Sequence, residues 1–131
     1  DGRRFSRAIN IDMHTIRFLS DKQVDDYIAK KFLPADAAER KGSVTNLEAF
    51  RYTMEQHLAH SKEINPDLTF MVRQLTPGTE GMPVELYAFT RTKEWVDYEH
   101  VQSRFTEFAL ASLPQFDLRV YQRSSDFRQN S

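Results

Sequence analysis

Thr69-Phe-Met-Val-Arg-Gln-Leu-Thr-Pro-Gly-Thr-Glu-Gly-Met-Pro-Val-Glu-Leu-Tyr-Ala-Phe-Thr90 decides how this chain is read. Phe70 and Val72 alternate with Met71, Arg73 and Leu75. Val84, Leu86 and Ala88 alternate with Glu85, Tyr87 and Phe89. A period of two marks half-buried strands. The loop Pro77-Gly-Thr-Glu-Gly81 between them is long enough for a relaxed hairpin. No residue in the stretch looks catalytic, so it reads as a folding and assembly element.

On the C-terminal side, Thr92 can cap a helix whose inner face carries Trp95, Tyr98, Val101, Phe105, Phe108 and Ser112, stopped by Pro114. Phe116, Leu118 and Val120 then alternate with Asp117, Arg119 and Tyr121, predicting a last strand. On the N-terminal side, Asn65-Pro66-Asp67 makes a turn. Before it, Thr45-Asn-Leu-Glu48 reads as a capping box opening a helix with Leu47, Phe50, Met54 and Leu58 on one stripe. Residues 34–44 read as a mobile connection. Ser20-Asp-Lys-Gln23 predicts an earlier short helix through Phe32, ended by Pro34. Phe5 to Met13 alternate as a first strand, and a phase change near His14 predicts a bulge or bend.

The resulting order is β-α-β-β-α-β with an extra short helix near the N-terminus. That is an α+β, ferredoxin-like split sandwich. Two helices would cover one sheet face, and the other would meet solvent or another surface. Phe70, Tyr87, Phe89 and Tyr121 cannot all point inward, so some apolar surface is expected to be left for a partner.

The 131 residues suffice for one domain with a real core. A formal net charge of −1 gives no overall field favouring nucleic acid or an anionic membrane. There is no cysteine, which excludes disulfides, thiol nucleophiles and thiolate metal sites. No apolar run approaches the roughly 18 residues of a membrane-spanning helix. The chain opens Asp1-Gly-Arg-Arg without an initiator Met and reads as a piece of a longer protein.

The candidate chemical groups each have a plainer reading. His57 and His60 share a helix face and Glu63 follows, but a metal needs more ligands and none is spaced for it. Asp25, Asp26, Asp36 and Glu39 supply carboxylates near flexible backbone and read as a solvated face. Ser20, Ser43, Ser61, Ser103 and Ser112 read as caps or helix-surface residues, not nucleophiles. No GxGxxG or P-loop occurs. Arg3, Arg4 and Arg7, with Arg17 further along, form a basic cluster suited to phosphate or to a subunit contact. The RNP1-like run of an RNA-binding split-βαβ domain is absent, and Asp12, Glu85 and Asp117 stand on the strands. No catalytic, cofactor-binding or metal residue is therefore expected, and neither nucleic acid nor a small-molecule substrate is expected as a partner.

Several motifs occur in order: Gly2-Arg-Arg-Phe-Ser-Arg-Ala-Ile-Asn-Ile-Asp-Met13, Ile16-Arg-Phe-Leu19, Thr45-Asn-Leu-Glu-Ala-Phe-Arg51, Leu68-Thr-Phe-Met-Val-Arg-Gln-Leu75, Gly81-Met-Pro-Val-Glu-Leu-Tyr-Ala-Phe-Thr90 and Phe116-Asp-Leu-Arg-Val-Tyr121. Over about residues 2–122 the chain resembles the soluble C-terminal region of small-conductance mechanosensitive channels, closest to the bacterial miniconductance-type branch. The resemblance implies a homoheptameric ring in the bacterial inner membrane. In it this domain hangs on the cytoplasmic side, builds a vestibule beneath the pore, binds no cofactor and is not an enzyme. Such channels release solutes on hypo-osmotic shock.

On this reading residues 1–13 are the last strand of a preceding β-domain or the junction to it. Residues 14–122 are the α/β C-terminal domain, and 123–131 a disordered tail. The membrane helices that would anchor the ring lie outside this sequence, and 20–44 matches no motif of the family. Two other classes remain: a ferredoxin-like regulatory module that senses a small molecule between subunits, and an RNA-binding domain.

Overall fold

The computed structural model describes residues 2–123. The fold is α+β. Strand β1 (Arg4–Ile11) is followed by helix α1 (Asp21–Ala29) and helix α2 (Asn46–Ala59). Strands β2 (Met71–Gln74) and β3 (Met82–Phe89) and helix α3 (Trp95–Ser112) complete it. The sheet has three strands in the order β1-β3-β2, and β3 is antiparallel to both neighbours.

One sheet face is the core. Phe5, Ile9, Ile11, Val72, Val84, Leu86 and Ala88 are buried there. Helix α2 lies under β2 and α3 under β1, with Phe5 stacked on Phe105 at 5.8 Å between ring centroids. The α2 stripe Leu47, Phe50, Met54 and Leu58 is buried throughout, as its spacing predicts. The two caps predicted upstream also form. Ser20 and Gln23 close a reciprocal capping box on α1. At α2 only half the box is made: Thr45 Oγ1 accepts from the Glu48 N–H, while the Glu48 carboxylate turns to Arg40, with contacts of 3.0 and 2.6 Å.

Pro83 sets where the β2–β3 ladder ends. The Leu75 N–H donates to the Pro83 carbonyl at 2.9 Å, and Pro83 has no N–H to return. The hairpin then closes through Gly78 and Gly81, which exchange hydrogen bonds around Thr79 and Glu80. Gly81 has φ 96, and a Cβ there would lie 2.5 Å from the Ile11 carbonyl oxygen, so only glycine lets the hairpin meet the end of β1.

Four expectations need correction. The fourth strand of the β-α-β-β-α-β pattern does not form over 116–121. Leu113–Phe116 is a 3-10 turn, Asp117 adopts a left-handed φ of 58, and a single bridge, Val120 to Ile11, touches β1. Phe116 decides this: it is fully buried among Tyr27, Phe32 and Phe50, with ring centroids 5.1–5.8 Å away. An aromatic cluster in the helical layer outcompetes a place on the sheet.

The bulge or bend expected near His14 is a 3-10 turn, Met13–Thr15, capped by Asp12. Helix α1 stops at Ala29 rather than running to Phe32, because Lys31 takes φ 65 and swings Phe32 into the aromatic cluster. The "mobile" 34–44 segment carries a 3-10 helix, Ala35–Arg40, with Ala37 and Val44 fully buried and Lys41 paired to Asp25. Finally, α3 is capped by Glu94, not Thr92, and its inner stripe is Val101, Gln102, Phe105 and Ala109. Trp95 and Phe108, expected inside, are 65% and 39% exposed. The tail expected from 123 onward lies, from 124, outside the described residues.

Candidate functional site

Among the described residues, nothing covers the second face of the sheet. Arg4, Ser6, Ala8 and Asn10 of β1 are exposed on it, Arg73 of β2 likewise, and Met71, Pro83, Tyr87 and Phe89 are half-buried. The register places Ser6, Tyr87 and Met71 in one row and Ala8, Glu85 and Arg73 in the next. Tyr87 and Phe89 meet edge to face at 5.8 Å between ring centroids.

At the centre of this face stands a carboxylate. Glu85 is only 9% exposed. Its Oε2 accepts from the Ser6 hydroxyl at 2.6 Å and its Oε1 from Arg73 Nε at 2.7 Å. The Ser6 hydrogen bond, followed by the Arg73 hydrogen bond and charge, holds its pKa below the usual carboxylate range against the cost of burial. Alternation alone placed Glu85 outward; its clamp depends on the strand register and could not be read from local spacing. Of the aromatics expected outside, Tyr87 and Phe89 are on this face. Phe70 packs against the core, and Tyr121 is half-buried beside Gly81.

The arginine cluster borders the same face. The Arg3 guanidinium sits over the Tyr98 ring, 4.9 Å from its centroid, and the Tyr98 hydroxyl donates to the Arg4 carbonyl at 2.8 Å. Among the described residues Arg3, Arg4 and Arg7 make no salt bridge, whereas Arg17 pairs with Asp117 at 2.6 Å. Trp95 and Val96 lie 65% and 62% exposed on the first turn of α3, next to Tyr98.

The other sequence candidates are dispersed. Among the described residues no cluster of three metal-ligating side chains exists. His60 Nδ1 contacts the Gln56 carbonyl, and Glu63 pairs with Arg104. Asp25 and Asp26 pair with Lys41 and Lys30. Asp36 and Glu39 are exposed on the 3-10 helix. Ser20 caps α1, Ser43 donates to the Arg40 carbonyl, Ser61 caps the Glu63 N–H, Ser112 donates to the Phe108 carbonyl, and Ser103 is exposed on α3.

His57 is a packing residue. Its ring stacks on Phe108 at 3.7 Å with 9° between planes and meets Phe105 edge-on at 5.1 Å. Burial pushes its pKa below the ordinary histidine value. The unfolded chain therefore takes up the proton first on acidification. The contribution of His57 to stability is full above about pH 6.5 and is lost as pH falls from there through the lowered folded-state value. Thermal melts between pH 7 and 5 should show this slope, and His57→Leu should flatten it. An unchanged slope in the variant would show that another group carries it.

Among the described residues no helix is long and apolar enough to cross a membrane. No family model matches the sequence.

Proposed function

We propose that this chain is an assembly module, the cytoplasmic vestibule domain of a bacterial mechanosensitive channel. It would be held in a ring of identical subunits below the inner membrane by membrane-spanning segments outside this sequence. The reading combines the ordered motifs between Gly2 and Tyr121 with one structural observation that carries it: a sheet face without a helical cover among the described residues, with Tyr87, Phe89 and Met71 half-exposed around the Ser6–Glu85–Arg73 clamp. A ring closed by heterologous contacts needs two different surfaces per subunit. The uncovered face is one, and the exposed Trp95–Val96 turn offers a second. The same proposal reads the fold as a split ferredoxin-like sandwich. β3 lies between β1 and β2, and Val120 touches the outer side of β1 where a fourth strand of a split ferredoxin-like sandwich would run.

The residues serve shape and contact here, with no proton-transfer or ligand chemistry. The test compares this chain with the longer protein carrying it, in detergent, by mass photometry. A closed oligomer is expected for the longer protein, a heptamer on the family resemblance. The chain alone should associate weakly, because anchoring supplies effective concentration. Trp95, the single tryptophan, reports contact: its emission should shift to the blue on assembly if α3 is an interface. A longer protein that remains monomeric overturns the proposal.

A further inference from the structure

We propose that the outer edge of β1 is a docking strand for an extended acidic peptide segment. The inference stands on the edge itself and does not require the channel reading. In the β1–β3 register the Thr90 N–H donates to the Arg3 carbonyl at 2.8 Å, so odd-numbered residues turn their backbone groups toward β3. Arg4, Ser6, Ala8 and Asn10 turn theirs away from the sheet. Two of the outward carbonyls are taken: that of Arg4 by the Tyr98 hydroxyl at 2.8 Å, and that of Asn10 by the Tyr121 N–H at 2.9 Å. Between them the N–H and C=O groups of Ser6 and Ala8 carry no partner among the described residues, and both residues are exposed.

The opposite edge is protected. On β2 the outward Val72 N–H donates to the Glu55 carboxylate of α2 at 3.2 Å, and the strand is only four residues long. Short strands and covering side chains are how sheet edges are normally blunted. The β1 edge has eight residues and, among the described residues, no such cover beyond its ends. The Arg119–Tyr121 segment already lies along its Ile11 end, with the Asp12 N–H donating to the Arg119 carbonyl at 2.8 Å. Extended backbone therefore fits against this edge.

Charge selects the occupant. Among the described residues Arg3, Arg4 and Arg7 flank the gap without a salt bridge, β1 contains no acidic residue, and Glu85 on the open face, which feels the Arg4 charge, is hydrogen-bonded by Ser6 and Arg73. Pairing with β1 of a second copy would bring the same arginines of both copies together, and like charges across a strand pair are destabilising. A phosphate-bearing ligand would satisfy the guanidinium groups and the N–H donors but leave the Ser6 and Ala8 carbonyls unpaired. An extended peptide with carboxylate side chains satisfies donors, acceptors and charge together.

The test titrates the whole chain into a short fluorescent peptide alternating glutamate with valine, its lysine-for-glutamate counterpart, and a single-stranded oligonucleotide, by anisotropy. Amide exchange is followed in parallel. The acidic peptide should bind roughly tenfold or more tighter than the lysine peptide, weaken with salt, and slow exchange at the Ser6 and Ala8 amides. The pair Arg4→Glu with Arg7→Glu should weaken binding about tenfold with the melting temperature retained. Ala8→Pro, which removes one outward N–H at an edge position that tolerates proline, should weaken it similarly. If Ala8→Pro does not fold, the arginine variants and the exchange data decide. Equal binding of both peptides, unchanged exchange at Ser6 and Ala8, or binding of the oligonucleotide alone each overturn the proposal.

Discussion

Phe116→Ala should destabilise the fold by about 3–5 kcal/mol, the range for deleting a fully buried aromatic ring. Phe116 has no exposed surface, and its ring contacts Tyr27, Phe32 and Phe50, so the cavity is walled by side chains that cannot all collapse into it. These rings come from α1, the turn after it, α2 and the Leu113–Phe116 turn, so the loss is felt across the helical layer. Urea melts measure it. Phe116→Leu keeps most of the volume and should cost less than about 2 kcal/mol, which leaves a measurable variant if the alanine protein does not fold. Phe18→Ala is the control: Phe18 is 66% exposed, and its loss should stay within about 0.5 kcal/mol. Similar costs for Phe116→Ala and Phe18→Ala would contradict the described core.

The second large effect is expected at Asn46, the first residue of α2, which has no exposed surface. Its side chain accepts from the Arg17 N–H at 2.9 Å and donates to the carbonyls of Thr15 and Phe116, each at 2.9 Å. One amide thus ties the segment after β1, the start of α2 and the turn after α3. Asn46→Ala orphans three backbone groups at once, and a cost of about 2–4 kcal/mol follows. Asn46→Asp keeps the shape but offers no proton to two carbonyl oxygens. Its carboxyl is stabilised in the protonated form, so its folded pKa rises above the unfolded value near 3.9. The variant should then be most stable, relative to the parent, at low pH and lose stability as pH rises through the raised pKa. A deficit independent of pH would mean that the two carbonyl contacts are not made.

How much of this was legible beforehand can be judged from particular residues. The α2 stripe and the Ser20 and Thr45 caps were readable because each is a local event, one side chain meeting a backbone group or neighbour three or four positions away. The uncovered face was foreseen through Tyr87 and Phe89, since strand alternation forces neighbours onto opposite sides. The Ser6–Glu85–Arg73 clamp was not, because its members are brought together only by register across three strands. Nor was Asn46, whose partners lie 29 to 70 positions away.

The amino-acid sequence by itself determined the helices, the three strands and the presence of a leftover sheet face, because helical and strand periodicities and caps act over a few residues. Tertiary structure alone decided that Phe116 joins the helical aromatic cluster instead of a fourth strand, that 34–44 carries a 3-10 helix with buried residues, and that Ser6 and Ala8 have no backbone partner among the described residues. In each of these cases two locally acceptable conformations compete. The balance is struck by burial and hydrogen bonding with segments far along the chain, which no local pattern encodes.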